Sequence, residues 1–207
     1  MNEQEALWAG KFGNEYTNRL ASKEWIESNV VFFSNALIKT KNVKTIMEIG
    51  CNRGLNLAAL EYLDPSTVKT GLDINAGALK ELTVMFDDLK LDIPYLHCSP
   101  IADFETVHTY DLVISKGVLI HINPNQLESV YKKIFDLSNK YILIAEYYNP
   151  TPVEVVYRGM TGKLWKRDFA GEMMDKYGLK LIDYGFTYHR DVAPQDDINF
   201  FLLSKET

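Results

Sequence analysis

Apolar and polar positions alternate in blocks along most of this chain. Short apolar runs typical of buried strands are separated by segments whose apolar residues recur every three or four positions, as on one face of a helix. The predicted strands span residues 44–49, 68–73, 94–98, 110–115, 141–146, 179–186 and 198–204. The predicted helices span residues 54–63, 75–89, 124–137 and 168–177. This alternation predicts an α/β fold with a parallel sheet and helices on both faces.

The last two predicted strands follow one another with only a short connection. They predict a hairpin whose final strand inserts antiparallel, so we expect a seven-stranded, mostly parallel sheet with an antiparallel last strand. Right-handed crossovers bring the carboxyl ends of parallel strands to one edge of a sheet. We therefore expect residues that follow the strands to meet at that edge, namely Gly50, Asp73, Ser99, Lys116 and Glu146.

Residues 1–42 precede the first strand and are predicted to form an N-terminal helical cap or lid on a domain of residues 43–207. The stretch from Trp8 to Arg19 is dense in aromatic, glycine and polar residues, which favours a lid over a ligand. In that interpretation Tyr16 and Arg19 lie on one helical face and contact the ligand. In the alternative, the aromatic residues only pack and Arg19 is a solvated charge.

The segment from Val43 to Gly54 is the strongest functional signal in the sequence. A buried strand, two glycines and the start of a helix gather backbone N–H groups at one point, where a polar ligand can bind. Gly50 and Gly54 allow the backbone to approach that ligand closely, because neither carries a Cβ. The predicted ligand contacts of this segment are Glu48, Gly50, Cys51, Asn52 and Gly54.

Asp73 closes the second predicted strand. An acid in this position accepts hydrogen bonds from the two ribose hydroxyls of a nucleoside, and we expect the following Ile74 and Asn75 to contact the same ligand. A dinucleotide is disfavoured, because the second and third glycines of its G-x-G-x-x-G fingerprint would fall on Asn52 and Leu55.

The Glu48-x-Gly50-x-x-x-Gly54 pattern resembles the first motif of the class I S-adenosylmethionine (SAM) methyltransferases. The resemblance implies the Rossmann-like fold of that class, with SAM as cofactor and S-adenosylhomocysteine (SAH) as product. It also implies that the glycine loop wraps the methionine part of SAM and that Asp73 holds the ribose.

Two further segments fall where the resemblance implies cofactor contacts. The turn after the third strand, with Ser99 and Ile101, would hold the adenine, and an ordinary strand-to-helix turn is the alternative. Lys116 and Gly117 follow the fourth strand and would turn over the cofactor. His121, just beyond them, could take a proton from an acceptor hydroxyl or amine because the pKa of histidine lies near working pH. A hydrogen-bonded structural role is the alternative for His121.

Residues 147–166 form a predicted loop that is long for a compact domain and rich in aromatic and basic residues. Positive charge in an otherwise acidic chain favours an anionic acceptor, such as a carboxylate or a phosphate. Ordinary surface charges are the alternative. The predicted acceptor-binding residues are Tyr147, Tyr148, Asn149, Arg158, Lys163 and Lys166.

Composition narrows the range of partners. The 207 residues carry 22 Lys and Arg against 28 Asp and Glu, which disfavours a nucleic acid partner because backbone binding depends on clustered basic residues. The two cysteines, Cys51 and Cys98, lack the spacing of metal ligands, so no metal is expected. No apolar run reaches the length of a membrane span and the acidic start lacks a signal-peptide core, so we expect a cytoplasmic protein without a membrane partner.

Five segments that bear motifs extend over nearly the whole chain: Trp8–Arg19, Glu48–Leu57, Lys116–Ile122, Glu146–Pro152 and Lys166–Ala170. Together they resemble the methylases associated with pseudaminic acid biosynthesis, and Asn52 in the glycine loop supports this narrower assignment. Leu20 departs from the family pattern, which has Asn at that position. The resemblance implies methylation of an O or N atom of a small molecule linked to surface-glycan production, a nonulosonic acid or a nucleotide sugar. An unrelated metabolite or peptide acceptor, or a SAM-binding subunit without catalysis, are the alternatives.

Overall fold

The computed structural model describes residues 1–17 and 23–205. In this part of the chain the helices are α1 (Glu3–Ala9), α2 (Lys11–Thr17), α3 (Lys23–Ala36), α4 (Leu55–Leu63), α5 (Ala76–Leu89), α6 (Leu127–Leu137) and α7 (Phe169–Tyr177). The strands are β1 (Thr45–Ile49), β2 (Val68–Asp73), β3 (Tyr95–Cys98), β4 (Tyr110–Lys116), β5 (Ser138–Glu146), β6 (Val153–Glu154), β7 (Trp165–Lys166), β8 (Lys180–Phe186) and β9 (Asn199–Ser204). None of these helices combines the length and the apolar character that crossing a membrane requires.

One seven-stranded sheet organises the molecule, in the order β3-β2-β1-β4-β5-β9-β8. The first five strands in sequence pair in parallel, and β9 lies antiparallel between β5 and β8. The predicted fold is therefore confirmed, including the antiparallel last strand. β5 begins three residues earlier than predicted, at Ser138, because α6 leads into it without a connecting loop.

Helices cover both faces of the sheet, and each face has its own apolar core. On one face, α6 and α7 contribute Ile134 and Met173. On the other face, α4 and α5 contribute Leu57 and Leu82. Strands that are covered on both faces have near-continuous apolar sequences. The sequence pattern therefore predicted the positions of the central strands.

The predicted N-terminal cap divides into two parts in the structure. α3 packs against α4, with Phe33 fully buried in the same core, so this helix covers the sheet. α1 and α2 instead lie beside the open edge of the sheet, where Trp8 and Tyr16 line a cavity. The domain boundary at residue 42 stays a prediction.

Residues 147–166 are not the irregular loop that we predicted. β6 and β7 pair antiparallel, and Tyr157 and Met160 form a bridge at the tip between them. The Val155 N–H also donates to the Leu164 carbonyl at 2.9 Å. Strands of only two residues leave no measurable alternation in the sequence, so the pattern could not reveal this hairpin.

Candidate active site

A cavity of about 400 Å³ opens at the sheet edge where β1 to β5 end. Residues that follow four of these strands line it: Gly50, Asp73, Ser99 and Lys116. Further lining comes from α1, α2, α3, the 153–166 hairpin and the β8–β9 connection. Four of the five residues expected at this edge therefore line the cavity, whereas Glu146 does not. The cavity volume suits a small-molecule ligand.

The glycine loop joins β1 to α4 in a left-handed backbone. Gly50 has φ +69° and Gly54 has φ +79°, and a Cβ on Gly50 would lie 2.4 Å from Val118 Cγ2. Asn52 is also left-handed, at φ +47°, and its Oδ1 accepts a hydrogen bond from the Arg53 N–H at 2.7 Å. Asparagine tolerates this region through such local bonds. Gly50 and Asn52 line the cavity, whereas Gly54 lies at the start of α4 and does not.

Asp73 is held between the glycine loop and the start of α5. Its Oδ2 accepts a hydrogen bond from the Asn52 N–H at 2.7 Å, and its Oδ1 accepts one from the Asn75 N–H at 2.8 Å. Burial raises the pKa of this carboxyl group. Both oxygens keep further acceptor capacity. Asp73, Ile74 and Asn75 line the cavity, so the carboxylate can accept two hydroxyl groups of a ligand there.

Glu48 is fully buried in β1 and does not line the cavity. Its Oε1 accepts a hydrogen bond from Asn56 Nδ2 at 2.5 Å, and no described residue donates to Oε2. Burial raises the pKa of Glu48 to about 7. An unpaired buried acceptor is costly, so a ligand donor or a water that reached Oε2 would offset that cost. Cys51, nearby in the loop, is buried and does line the cavity.

The turn after β3 lies next to Asp73. The Ser99 N–H donates to the Asp73 carbonyl at 3.0 Å, and the Ser99 hydroxyl donates to the Pro100 carbonyl at 3.0 Å. Ile101 is 8% exposed and presents apolar surface. Ser99 and Ile101 both line the cavity, on the β3 side of Asp73.

The turn after β4 is held by the buried carboxylate of Glu146. Its Oε1 accepts hydrogen bonds from the Ser115 hydroxyl at 2.8 Å and from the N–H groups of Val118 and Leu119 at 3.0 Å each. Burial raises the pKa of Glu146. Gly117, at φ +70°, lines the cavity at this turn. Glu146 therefore positions the backbone that leads into the following 3-10 helix.

His121 ends that 3-10 helix and lines the cavity. Its Nδ1 lies 2.8 Å from the Lys163 carbonyl, so Nδ1 carries the proton and Nε2 carries the lone pair. Its ring lies 4.6 Å from the Trp8 ring and 5.0 Å from the Tyr157 ring. Burial lowers the pKa of His121 to about 4, which keeps the imidazole neutral at pH 7. A neutral ring with a free acceptor nitrogen is compatible with the base role and with the structural role.

α1 and α2 bring aromatic side chains to the cavity. The Trp8 ring lies 5.3 Å from both the Phe12 and the Tyr16 rings. Asn75 Nδ2 donates to the Trp8 carbonyl at 3.0 Å, which ties α1 to the end of β2. Tyr16 lines the cavity, and burial raises its pKa. The predicted contact from Arg19 lies outside the described residues.

The predicted acceptor-binding residues fall into two groups. Tyr147 and Arg158 line the cavity, whereas the other four do not. Lys163 Nζ pairs with Glu3 Oε1 at 2.6 Å, and Lys166 Nζ lies 5.1 Å above the Tyr147 ring. Of the three basic residues in this group, Arg158, Lys163 and Lys166, Arg158 is therefore the one that lines the cavity.

Tyr148 and Asn149 are directed elsewhere. The Tyr148 ring packs 5.9 Å from the Phe201 ring, and Asn149 Nδ2 donates to the Thr151 carbonyl at 2.6 Å. Neither contact involves the cavity, so a role in acceptor binding stays a prediction for these two residues.

Several cavity residues carried no clear signal in the sequence. They are Trp25, Asn29, Arg53, Gln195 and Asp196. Burial raises the pKa of Tyr147, and the nearby negative charge of Asp196 raises it further. Helical spacing showed only the apolar face of α3. The predicted hairpin placed residues 195–196 near this edge, but no motif gave them a role. Across residues 1–17 and 23–205, no three His, Cys, Asp or Glu side chains converge as metal ligands.

Comparisons with known proteins agree with this geometry. Residues 46–140 match the family model of the methyltransferase domain. The structure of magnesium protoporphyrin IX methyltransferase from Synechocystis PCC 6803 with bound SAH is similar, with a TM-score of 0.73 and 13% identity over 99% of this chain and 100% of that chain. Mitomycin 7-O-methyltransferase has a TM-score of 0.71 and 14% identity, over 99% of this chain and 61% of that chain. The N-methyltransferase NodS from Bradyrhizobium japonicum WM9 has a TM-score of 0.67 and 14% identity, over 90% of this chain and 99% of that chain. No curated protein matches the chain by sequence.

At these identities the structural similarity establishes the fold, which is that of the class I SAM-dependent methyltransferases. The matched domain contains features that fit SAM: the backbone of Gly50 lines the cavity without a Cβ, and the Asp73 carboxylate beside it keeps acceptor capacity. The protein is a SAM-dependent methyltransferase, and SAM is its cofactor.

Proposed function

We propose that this enzyme methylates an O or N atom of a small anionic acceptor in surface-glycan production, a nonulosonic acid or a nucleotide sugar. The motifs shared with the methylases associated with pseudaminic acid biosynthesis support the pathway. The position of Arg158 supports the charge of the acceptor, and it is the observation that carries this proposal.

Arg158 occupies the tip of the 153–166 hairpin in a left-handed conformation, at φ +52°. Gly159 follows at φ +79°, and Tyr157 and Met160 each donate an N–H to the other's carbonyl at 2.9 Å. This turn holds the guanidinium 5.8 Å from the Tyr16 ring centroid and 5.4 Å from that of Tyr157. A left-handed backbone costs a residue with a Cβ roughly 1–2 kcal/mol. An arginine held in such a conformation beside a cavity supports a binding role.

Other basic residues of the segment are already engaged. Lys163 pairs with Glu3, and Arg167 Nε pairs with Glu172 Oε1 at 2.8 Å. A guanidinium binds a carboxylate or a phosphate through two parallel hydrogen bonds. We therefore assign the recognition of the acceptor's anionic group to Arg158.

Cofactor binding is assigned to residues at and just after the ends of β1 to β4 and to Tyr16 of α2. The proposed contacts are Tyr16, Gly50, Cys51, Asn52, Asp73, Ile74, Asn75, Ser99, Ile101, Lys116 and Gly117. SAM, when bound, supplies an electrophilic methyl group. His121 Nε2 accepts the hydrogen of the acceptor hydroxyl or amine, and the rings of Trp8 and Tyr157 keep water from that nitrogen. Positioning of the acceptor supplies most of the remaining rate.

A methyl-transfer screen tests the proposal. Sialic-acid-like acids, nucleotide sugars and the uncharged methyl esters of the same acids are incubated with SAM, and products are identified by mass spectrometry. We expect methylation of an anionic sugar and at least ~30-fold lower kcat/KM for its ester, because a charge-assisted bidentate contact is lost. Arg158→Ala should lower kcat/KM for the acid by a similar factor, whereas Arg190→Ala, an exposed control outside the cavity, should change it less than twofold.

An uncharged aromatic metabolite is the competing acceptor class. The rings of Trp8, Trp25 and Tyr147 along the cavity favour it. Flat aromatic alcohols and amines therefore belong in the same screen. Methylation of these compounds, unchanged in Arg158→Ala, would replace the anionic sugar as the proposed acceptor.

A further inference from the structure

Two buried amide side chains and one partly buried lysine meet at one side of the cavity, between β4, α3 and the β8–β9 connection. Lys116, Asn29 and Gln195 all line the cavity, and Asn29 and Gln195 are each only 3% exposed. Lys116 Nζ donates to Asn29 Oδ1 at 3.4 Å, and Gln195 Nε2 donates to the same oxygen at 2.9 Å. Gln195 Oε1 is buried, and no described residue donates to it.

The lysine determines the orientation of both amide groups. An ammonium group only donates, so Asn29 must present its oxygen to Lys116. Gln195 must then present its NH₂ group to that oxygen, because the reverse would set two oxygens against each other. Gln195 Oε1 is consequently left over as an acceptor without a donor, and such a buried atom calls for a partner.

The chemistry of this cluster selects the class of group that can bind. A carboxylate would pair with Lys116 but would place negative charge against Gln195 Oε1. An ammonium group would satisfy Oε1 but would be repelled by Lys116. A neutral group that both accepts and donates meets both requirements, as a secondary amide does with its C=O and N–H. Trp25 lies one helical turn before Asn29 on α3 and also lines the cavity, so an acyl methyl group has an aromatic surface to contact.

We infer that Lys116, Asn29 and Gln195 bind an acylamino group of the methyl acceptor. The inference rests on the proposed function, because it assigns the side of the cavity lined by Asn29 and Gln195 to the acceptor. In this assignment the Lys116 main chain contacts the cofactor and the Lys116 side chain contacts the acceptor. The topology supports that division. Asp73 and the turn after β3 lie on one side of β1, whereas β4 and β9 lie on the other.

Direct binding of matched sugars tests the inference without methyl transfer. N-acetylmannosamine, mannosamine and mannose are titrated into the SAH-saturated enzyme and followed by NMR. We expect N-acetylmannosamine to bind at least ~10-fold more tightly than the other two sugars. Only its amide can both accept a hydrogen bond from Lys116 and donate one to Gln195 Oε1. Gln195→Leu should bring the three affinities within about threefold of each other, and the exposed control Asn139→Leu should leave the preference intact.

A second variant gives a readout that loss of packing alone would not produce. Gln195→Glu replaces the neutral acceptor with a carboxylate, so the preference should move from N-acetylmannosamine toward mannosamine, whose ammonium group the carboxylate would bind.

Equal affinities in the parent enzyme, or a preference for N-acetylmannosamine that survives both variants, would overturn the inference. A loss of SAH affinity above tenfold in Gln195→Leu would also overturn it, since the cluster would then bind the cofactor. The proposed function fails separately, if these sugars bind as expected and no anionic sugar is methylated in the screen.

Discussion

The two sides of the cavity are built in different ways. The proposed cofactor side consists of residues that end or directly follow strands of one sheet, such as Gly50, Asp73 and Ser99, and backbone hydrogen bonds of that sheet hold them. The proposed acceptor side consists largely of α1, the 153–166 hairpin and the Asn29–Gln195 pair, which lie outside the seven-stranded sheet. The first side is positioned by the core of the fold, and the second by contacts between two peripheral segments.

Those peripheral contacts are few and specific. Gln4 Nε2 donates to the Gly162 carbonyl at 3.0 Å, next to the Lys163–Glu3 pair. The Phe12 ring lies 6.2 Å from the Tyr157 ring. Changes on the cofactor side should therefore be costly and confined to cofactor affinity, whereas changes in the peripheral contacts should be mild and confined to the acceptor.

Asp73→Ala should have the largest effect. Loss of a buried carboxylate that orders the Asn52 and Asn75 backbone, and that we propose binds two hydroxyl groups of the cofactor, should weaken SAH binding about a thousandfold, measured by calorimetry. Asp92→Ala, an exposed aspartate outside the cavity, is the control and should leave SAH affinity unchanged. A change below threefold in Asp73→Ala would contradict the assigned cofactor side.

His121→Ala should lower kcat about a hundredfold and leave SAH affinity within threefold, because a positioned base contributes at least that much. The exposed His108 provides the control substitution, His108→Ala, which should not change kcat. If His121→Ala reduced kcat less than threefold, the histidine would be structural.

The pH dependence of kcat sharpens the same assignment. Since burial lowers the pKa of His121 to about 4, the imidazole is neutral and able to accept a proton above that pH. We expect kcat to be level from about pH 6 upward and to fall as the pH drops through ~4, measured where the enzyme remains folded. A fall centred near pH 6.5 would show that the histidine is solvated during turnover.

Glu3→Ala should have the smallest effect. The Lys163–Glu3 pair has one well exposed partner, at 84%, so its contribution to stability is at most about 1 kcal/mol. We expect KM for the acceptor to rise two- to threefold, with no change in SAH affinity or kcat. The exposed Glu24 in α3 serves as the control, Glu24→Ala. A change in SAH affinity in Glu3→Ala would break the separation of the two sides.

Prediction from the sequence succeeded where one stretch of chain contains the whole feature. The β1 strand, Gly50 and the start of α4 adjoin in sequence, and strand order places Asp73 beside them. Prediction was wrong for residues 147–166, because a hairpin with two-residue strands has no periodicity to detect. Trp25 and Asn29 gave no signal of a role in the site, because each side chain is ordinary in its own helix.

The sequence by itself determined the α/β fold, the antiparallel last strand and the sheet edge at which Gly50, Asp73, Ser99 and Lys116 meet, since local patterns and the handedness of crossovers govern them. Only the tertiary structure decided which basic residue of the 153–166 hairpin faces the cavity, which protonation state His121 adopts and which buried amide oxygen lacks a donor. Those properties depend on contacts between distant segments, such as Lys163 with Glu3 and Gln195 with Asn29, and on the loss of water around them.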